Sequence, residues 1–223
     1  MRAFLVVLSL VLWASSLATA ETPKPPFYTD KANLLVYLDD TNKATPIKSP
    51  SDWQKRREHI LASMQLVMGS LPDVTKKVPL DMKVESEETL GKVIRKKITF
   101  AVEKDDRLTA YLLIPKTPSH PKSPAMLCLH QTTAIGKGEP AGVGGLPNLR
   151  YALELAERGY VTLAPDYPNY GDYKLDSYAK GYASTTMKGI WNHMRAVDVL
   201  CRQPEVDRGR LCRRLVPYRR SRR

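Results

Sequence analysis

The chain has 223 residues, which is enough for one domain with a substantial hydrophobic core. Its formal charge of +12 does not indicate a surface for polyanions, because 8 of the 35 Lys and Arg residues lie from Arg208 onward and the rest is nearly balanced, with 27 basic and 23 acidic residues. The three cysteines, Cys128, Cys201 and Cys212, have neither the even count of a disulfide framework nor the spacing of a zinc site.

Residues 1–20 have the layout of a secretory signal peptide. Arg2 is followed by an apolar run from residue 3 to residue 14, and Ala18-Thr19-Ala20 is a small-residue cleavage site. The apolar run is shorter than the roughly 20 residues that cross a bilayer. We therefore expect cleavage after Ala20 and a secreted or periplasmic protein with no membrane span in its mature chain.

The next part of the chain predicts an extended leader and then a helix. Residues 21–50 are rich in proline and lack a helical or strand period. Ser51 followed by Gln54 has the spacing of a capping box, and apolar residues then recur at helical spacing until a glycine and a proline end the run. We expect an amphipathic helix with its apolar face packed on the domain, at the start of a folded region of residues 51–207.

The middle of the chain predicts strands and helices in an α/β order. The predicted strands are residues 80–85, 93–102, 108–114, 125–129 and 160–164, and the predicted helices are residues 148–158 and 184–202. The first two strands alternate partly with charged residues, which is typical of antiparallel strands with one face in water. The last two are continuous apolar runs, as in strands buried on both faces, and each precedes a helix, the second with Ser184 as its expected N-cap. This order predicts a parallel sheet that follows antiparallel strands.

Polar and aromatic residues follow the two predicted buried strands, where open α/β sheets bind ligands. These candidate site residues are His130, Gln131 and Thr132 after the first strand, and Asp166, Tyr167 and Tyr170 after the second. His130 is either an orienting residue at the base of its loop or a proton-transfer group, and Asp166 is either a loop-structuring carboxylate or a catalytic acid. Tyr167 and Tyr170 either line a substrate opening or pack within the loops. The glycines between residues 136 and 145 fit no phosphate-binding motif and predict a flexible loop.

At these positions the sequence resembles the α/β-hydrolase family, in its dienelactone-hydrolase and acetyl-xylan-esterase-like branch. The matching segments are Leu129-His130-Gln131, Gly159-Tyr160-Val161, Ala164-Pro165-Asp166-Tyr167 and Ala196-Val197-Asp198. The resemblance covers about residues 78–207. It implies the N-terminal half of an α/β-hydrolase fold, with antiparallel strands that lead into a parallel sheet flanked by helices. It also implies hydrolysis of carboxylic esters, on carbohydrates or small molecules, by a Ser-His-Asp mechanism without a metal or organic cofactor.

The resemblance supplies an oxyanion hole but no catalytic residue. It implies that the backbone N–H groups of Gln131 or Thr132 bind the developing oxyanion. The nucleophile motif Gly-x-Ser-x-Gly does not occur in the sequence. In the family a strand that begins at a Val-Asp pair leads into this motif, whereas here Val206-Asp207 is followed by the arginine-rich, non-periodic residues 208–223.

We therefore expect a domain truncated before the nucleophile elbow, a disordered or frameshifted tail, and no hydrolase activity of this chain alone. The alternative is a non-catalytic secreted binding protein whose basic tail binds an anionic partner. Nucleic acid is not the expected partner of either form, since the charge outside the tail is nearly balanced.

Overall fold

The computed structural model describes residues 24–117 and 121–210. The predicted signal peptide, Cys212 and most of the arginine-rich tail lie outside the described residues. The chain divides into two compact units, Met1–Ser63 and Met64–Arg223, which are described in turn.

The first unit contains a hairpin that the sequence pattern did not indicate. Strands β1 (Val36–Leu38) and β2 (Ala44–Pro46) pair antiparallel within the predicted leader. Asp39 holds the turn, because its Oδ1 accepts the backbone N–H groups of Thr41 and Lys43 at 2.9 and 3.1 Å and the Thr41 hydroxyl at 2.7 Å. These bonds, led by the one from the Thr41 hydroxyl, lower the pKa of Asp39 to about 2. The turn therefore keeps a charged carboxylate at neutral pH.

Helix α1 (Pro50–Met68) begins with a capping box, but not the predicted one. The Ser49 hydroxyl accepts the N–H of Asp52 at 3.2 Å, and Asp52 Oδ2 accepts the N–H of Ser49 at 3.0 Å. The box predicted at Ser51 and Gln54 is therefore wrong by two residues. Of the nineteen residues of α1, all described, only Arg56 is buried, so the expected buried apolar face is also wrong.

The second unit is built on a mixed sheet of five strands. They are β3 (Lys83–Leu90), β4 (Val93–Glu103), β5 (Asp106–Pro115), β6 (Ala125–Leu127) and β7 (Val161–Pro165). Their order in the sheet is β3-β4-β5-β7-β6, and the crossover from β6 to β7 gives the parallel pair. The remaining neighbours are antiparallel. The predicted fold class, antiparallel strands leading into a parallel sheet, is confirmed.

One strand is displaced from its predicted position. β3 begins at Lys83 rather than at Leu80, since Asp81 has a φ of +39°, which a strand does not accommodate. The carbonyl of Leu80 still accepts the N–H of Ala101 at 2.7 Å, so the chain lies against β4 before the strand begins.

Helices cover both faces of the sheet. Helix α2 is Tyr151–Glu157 and helix α3 is Thr185–Leu200. One hydrophobic cluster joins α3 to the sheet and includes Phe100, Leu112, Leu163, Trp191 and Leu200. A second joins α2 to the sheet and includes Leu113, Ala152, Leu153 and Ala164. The Ser184 hydroxyl accepts the N–H of Met187 at 3.1 Å, which confirms the predicted N-cap of α3.

The free side of β6 carries one more contact. Ser123 and Val206 form a parallel bridge, in which the Ser123 N–H donates to Glu205 O at 2.7 Å and its carbonyl accepts the N–H of Asp207 at 2.8 Å. Residues 208–210, which follow, are helical. Among the described helices, none has the length and apolar composition needed to cross a membrane.

Candidate functional site

The parallel pair β6 and β7 brings the predicted stretches to one edge of the sheet, where His130 joins them. The Nδ1 atom of His130 lies 2.6 Å from the carbonyl oxygen of Gln131, and its Nε2 accepts the backbone N–H of Tyr167 at 2.9 Å. The second bond requires the tautomer with the proton on Nδ1. Both ring nitrogens are thus bonded to backbone groups of the two loops. This geometry supports an orienting role for His130 and leaves neither nitrogen for proton transfer.

Aromatic rings pack around His130. Its ring meets those of Tyr167 and Tyr170 edge-on, with centroids 5.8 and 5.6 Å apart, and Tyr167 meets His193 of α3 at 4.7 Å. Burial raises the pKa of Tyr167. Burial, and then the nearby His130, lowers the pKa of His193 to about 4. Tyr167 and His193 are therefore uncharged at neutral pH, and the two tyrosines, each half-buried, pack within the loops and keep part of their surface exposed.

The oxyanion-hole candidates are exposed and have free backbone donors. Within the described part of the chain, the N–H groups of Gln131 and Thr132 have no hydrogen-bond acceptor. The carbonyl of Gln131 is held by His130, and its side-chain amide donates to Glu139 Oε2 at 2.9 Å. Glu139 is itself buried. The peptide at Gln131 is thus held on two sides while its N–H remains available.

Asp166 is fully buried at the end of β7 and is surrounded by donors. Its carboxylate accepts the backbone N–H of Lys137 at 2.8 Å, the Lys137 ammonium at 2.6 Å, the Thr109 hydroxyl at 2.6 Å and the N–H of Asp172 at 3.1 Å. A carboxylate with four donors and no exposed surface holds backbone in place. The geometry therefore supports the loop-structuring interpretation of Asp166 and not the catalytic-acid one.

Two glycines make this packing possible. Gly136 and Gly171 have φ angles of +53° and +52°, and a Cβ atom on either would lie 2.2 Å from Asp166 Oδ1. Residues 136–141, within the segment for which the glycines predict a flexible loop, are buried. The glycines serve close approach of the backbone to a carboxylate.

Lys137 is a site residue that the sequence reasoning missed. Its ammonium is 3% exposed and lies 2.6 Å from Asp166 Oδ2 and 2.8 Å from Asp172 Oδ2. Lys97 contacts the same Asp172 oxygen at 2.9 Å. The hydrogen bonds from Lys137 and then Lys97 lower the pKa of Asp172 to about 2. The available signal was a lysine between two glycines, directly after a candidate site loop.

A second buried lysine, Lys188, shares its two carboxylate partners with tyrosines of the loop that follows β7. The Lys188 ammonium of α3 lies 2.6 Å from both Glu103 Oε1 and Asp106 Oδ2, at the turn between β4 and β5. Tyr182 donates its hydroxyl to Glu103 at 3.1 Å, and Tyr173 donates to Asp106 at 2.9 Å. Burial raises the pKa of both tyrosines. The loop is therefore tied to the β4–β5 turn at two points.

The described residues include no cluster of three or more His, Cys, Asp or Glu side chains that could hold a metal ion. No protein-family model matches the sequence, and no curated protein matches it.

Solved structures do match the fold. A Bacteroides fragilis protein assigned as an acetyl xylan esterase superposes with a TM-score of 0.58 and 20% sequence identity, over 73% of this chain and 47% of that one. A glucuronoyl esterase from Solibacter usitatus superposes with a TM-score of 0.57 and 21% identity, over 84% of this chain and 57% of that one. At this identity the likeness shows the fold alone, and the resemblance to the esterase-like branch of the α/β-hydrolases is confirmed at that level. The chain spans about half the length of these structures.

Proposed function

We propose that this fold is the front part of a carboxylic ester hydrolase and that the loop after β6 supplies its oxyanion hole. The observation that carries the proposal is a pair of backbone N–H groups, those of the exposed residues Gln131 and Thr132, that have no acceptor in the described part of the chain and follow the carboxyl end of a parallel strand. Ester cleavage places negative charge on the carbonyl oxygen, and each fixed donor at that oxygen is worth roughly 10²–10³ in rate.

The roles of the other site residues follow from their contacts. His130 contacts the Gln131 carbonyl and the Tyr167 N–H, and so joins these two peptides. Asp166 joins the loop after β7 to the loop after β6 through the N–H of Lys137. In the proposed reaction a serine gives its hydroxyl proton to a histidine and adds to the ester carbonyl, and the two N–H groups hold the oxyanion. The carbonyl re-forms as the bond to the alcohol breaks, and the alcohol leaves with the proton that the histidine took from the serine. Water then releases the acid. The proposal assigns none of the serine, histidine and acid roles to the residues that the structure describes.

The proposed substrate is an acyl ester of a carbohydrate or a small molecule. Two observations support this substrate class. The structures with a similar fold include an assigned acetyl xylan esterase and a glucuronoyl esterase. Tyr167 and Tyr170 are half-buried beside the loop after β6, which carries Gln131 and Thr132. We also propose a secreted or periplasmic location, on the signal-peptide pattern of residues 1–20.

The donor pair is tested by titrating the ¹⁵N-labelled chain with acetate, the carboxylate product of acetyl-ester cleavage. We expect saturable amide shifts centred on Gln131 and Thr132, and no such shifts with methyl acetate, which keeps the acetyl group and lacks the charge. Acetate-induced shifts that are absent from both residues, or that methyl acetate reproduces, would contradict the proposal.

A further inference from the structure

We propose that Lys137 is a positioning residue of this site, which locks the loop after β6 to the loop after β7 and so fixes the N–H groups of Gln131 and Thr132. The inference rests on the proposed function, because it names what holds the oxyanion donors in place.

Lys137 donates two hydrogen bonds to Asp166, one to each carboxylate oxygen. Its backbone N–H donates to Oδ1 at 2.8 Å, and its ammonium donates to Oδ2 at 2.6 Å. The side chain is 3% exposed and that of Asp166 is 0% exposed. A buried charge without a partner is strongly unfavourable, so each of the two groups confines the other. The main chain at Lys137 is therefore fixed to the end of β7.

Asp172 extends this hydrogen-bond network along the loop after β7. Its Oδ2 receives the Lys137 ammonium at 2.8 Å, and its N–H donates to Asp166 Oδ2 at 3.1 Å. One ammonium is thus shared by carboxylates six residues apart in the loop after β7. Lys97 shares the Asp172 oxygen but makes no contact with Asp166 in the described structure, which makes it a matched reference for charge alone.

A continuous series of turns connects Lys137 to the donor pair. Gly136 N–H donates to Thr133 O at 3.0 Å, and Gly138 N–H donates to Ile135 O at 3.0 Å. Gly171, from the second loop, donates to Ala134 O at 3.2 Å. These bonds connect Lys137 to Thr133, which is the covalent neighbour of Thr132. Without the ammonium, we expect residues 132–138 to sample several arrangements and the donors to meet an anion less often.

The test compares variants of the full chain by acetate titration and by amide hydrogen exchange. In Lys137→Met we expect acetate affinity at Gln131 and Thr132 to fall roughly tenfold. Exchange at residues 133–138 should accelerate, while exchange at the core residues Leu112 and Leu163 stays as in the wild type. Lys97→Met removes one positive charge near Asp172 and should change the affinity less than about twofold.

Three outcomes overturn the inference: unchanged affinity in Lys137→Met, an equal loss in Lys97→Met, which would indicate charge alone, or unchanged exchange at residues 133–138. If Lys137→Met does not fold, the test uses Asp172→Asn, because this variant removes the charge of the more exposed carboxylate partner of Lys137. We expect a loss of acetate affinity smaller than that expected for Lys137→Met. Unchanged acetate affinity in Asp172→Asn overturns the inference. A wild-type chain that binds no acetate contradicts the proposed function instead, and the exchange comparison then decides the role of Lys137 independently.

Discussion

The side chains of His130 and Asp166 have their polar atoms occupied by hydrogen bonds within the protein. His130 has both ring nitrogens bonded to main-chain groups, and Asp166 has both carboxylate oxygens bonded to donors of its own loops. The groups left free are main-chain N–H groups, at Gln131 and Thr132. An ordinary substitution does not remove a backbone N–H group. We therefore expect mutations to affect anion binding through the side chains that position these two donors.

Two serines offer a matched pair for stability. The Ser184 hydroxyl caps α3 and donates to the carbonyl of Met68 at 2.5 Å, whereas the Ser177 hydroxyl is buried without a hydrogen-bond partner among the described residues. We predict that Ser184→Ala lowers the free energy of unfolding by about 1 kcal/mol. Ser177→Ala should leave it unchanged or raise it, because no hydrogen bond is lost. Urea denaturation of both variants checks this, and a larger loss in Ser177→Ala would contradict it.

His193 should make stability depend on pH. Its pKa of about 4 in the folded chain is below its ordinary value of 6.5, because burial and then His130 disfavour the charged ring. Between these values the unfolded chain binds more protons, so the free energy of unfolding rises with pH from about 4 to 6.5, by at most about 1.4 kcal/mol per pH unit.

Replacement by glutamine removes this titration. We predict that urea denaturation between pH 4.5 and 6.5 shows a weaker pH dependence for His193→Gln than for the wild type. Equal slopes for the two proteins would show that the ring does not titrate in this window.

At the scale of elements, two loops are held against each other by a carboxylate that leaves no room for a side chain. Gly171 and Gly91 have similar φ angles, +52° and +55°, but a Cβ on Gly171 would lie 2.2 Å from Asp166 Oδ1, whereas one on Gly91 meets nothing within 4 Å. Gly91→Ala should therefore cost about 1 kcal/mol of backbone strain, and Gly171→Ala about 3 kcal/mol or more. Thermal denaturation of both variants checks the difference, and similar losses would contradict the packing around Asp166.

The elements that the sequence predicts are those set by local pattern. Strand β7 follows from its continuous apolar run and is buried throughout, and α3 follows from its period and from Ser184. The run at residues 125–129 gives the shorter strand β6, and the prediction that it is buried on both faces is wrong, because Met126 and Leu127 are half-buried and Leu129 is exposed. The start of β3 was missed because a positive φ at Asp81 interrupts a run that otherwise suits a strand. The hydrogen bonds of Lys137 were missed because its carboxylate partners lie 29 and 35 residues further along the chain, and no local pattern records such contacts.

At the scale of the whole molecule, the second unit places the proposed donors, the N–H groups of Gln131 and Thr132, after the carboxyl end of the parallel strand β6. The sheet has the strand order β3-β4-β5-β7-β6, and Val206 forms a parallel bridge with Ser123, just before β6. The described residues supply these free donors, and the 223-residue sequence contains no Gly-x-Ser-x-Gly motif.

We predict that the 223-residue chain does not react as a serine hydrolase. Ser184 has its hydroxyl in two hydrogen bonds and Ser177 is 1% exposed, so neither is available as a nucleophile. A fluorophosphonate probe should give no stoichiometric label, and a short-chain acyl ester should not turn over above the buffer rate. Labelling that disappears in Ser177→Ala or Ser184→Ala would contradict the prediction.

The most direct measurement for the donor pair compares two monoanions of different shape in amide titrations of the ¹⁵N-labelled chain. Acetate is planar, whereas methyl methylphosphonate is tetrahedral, as is the intermediate of ester cleavage. Because a catalytic site is complementary to the transition state, we predict that both shift the amides of Gln131 and Thr132 and that the tetrahedral anion binds more tightly. Equal or weaker binding of the phosphonate, or shifts that leave these two amides unmoved, would contradict an oxyanion hole at the end of β6.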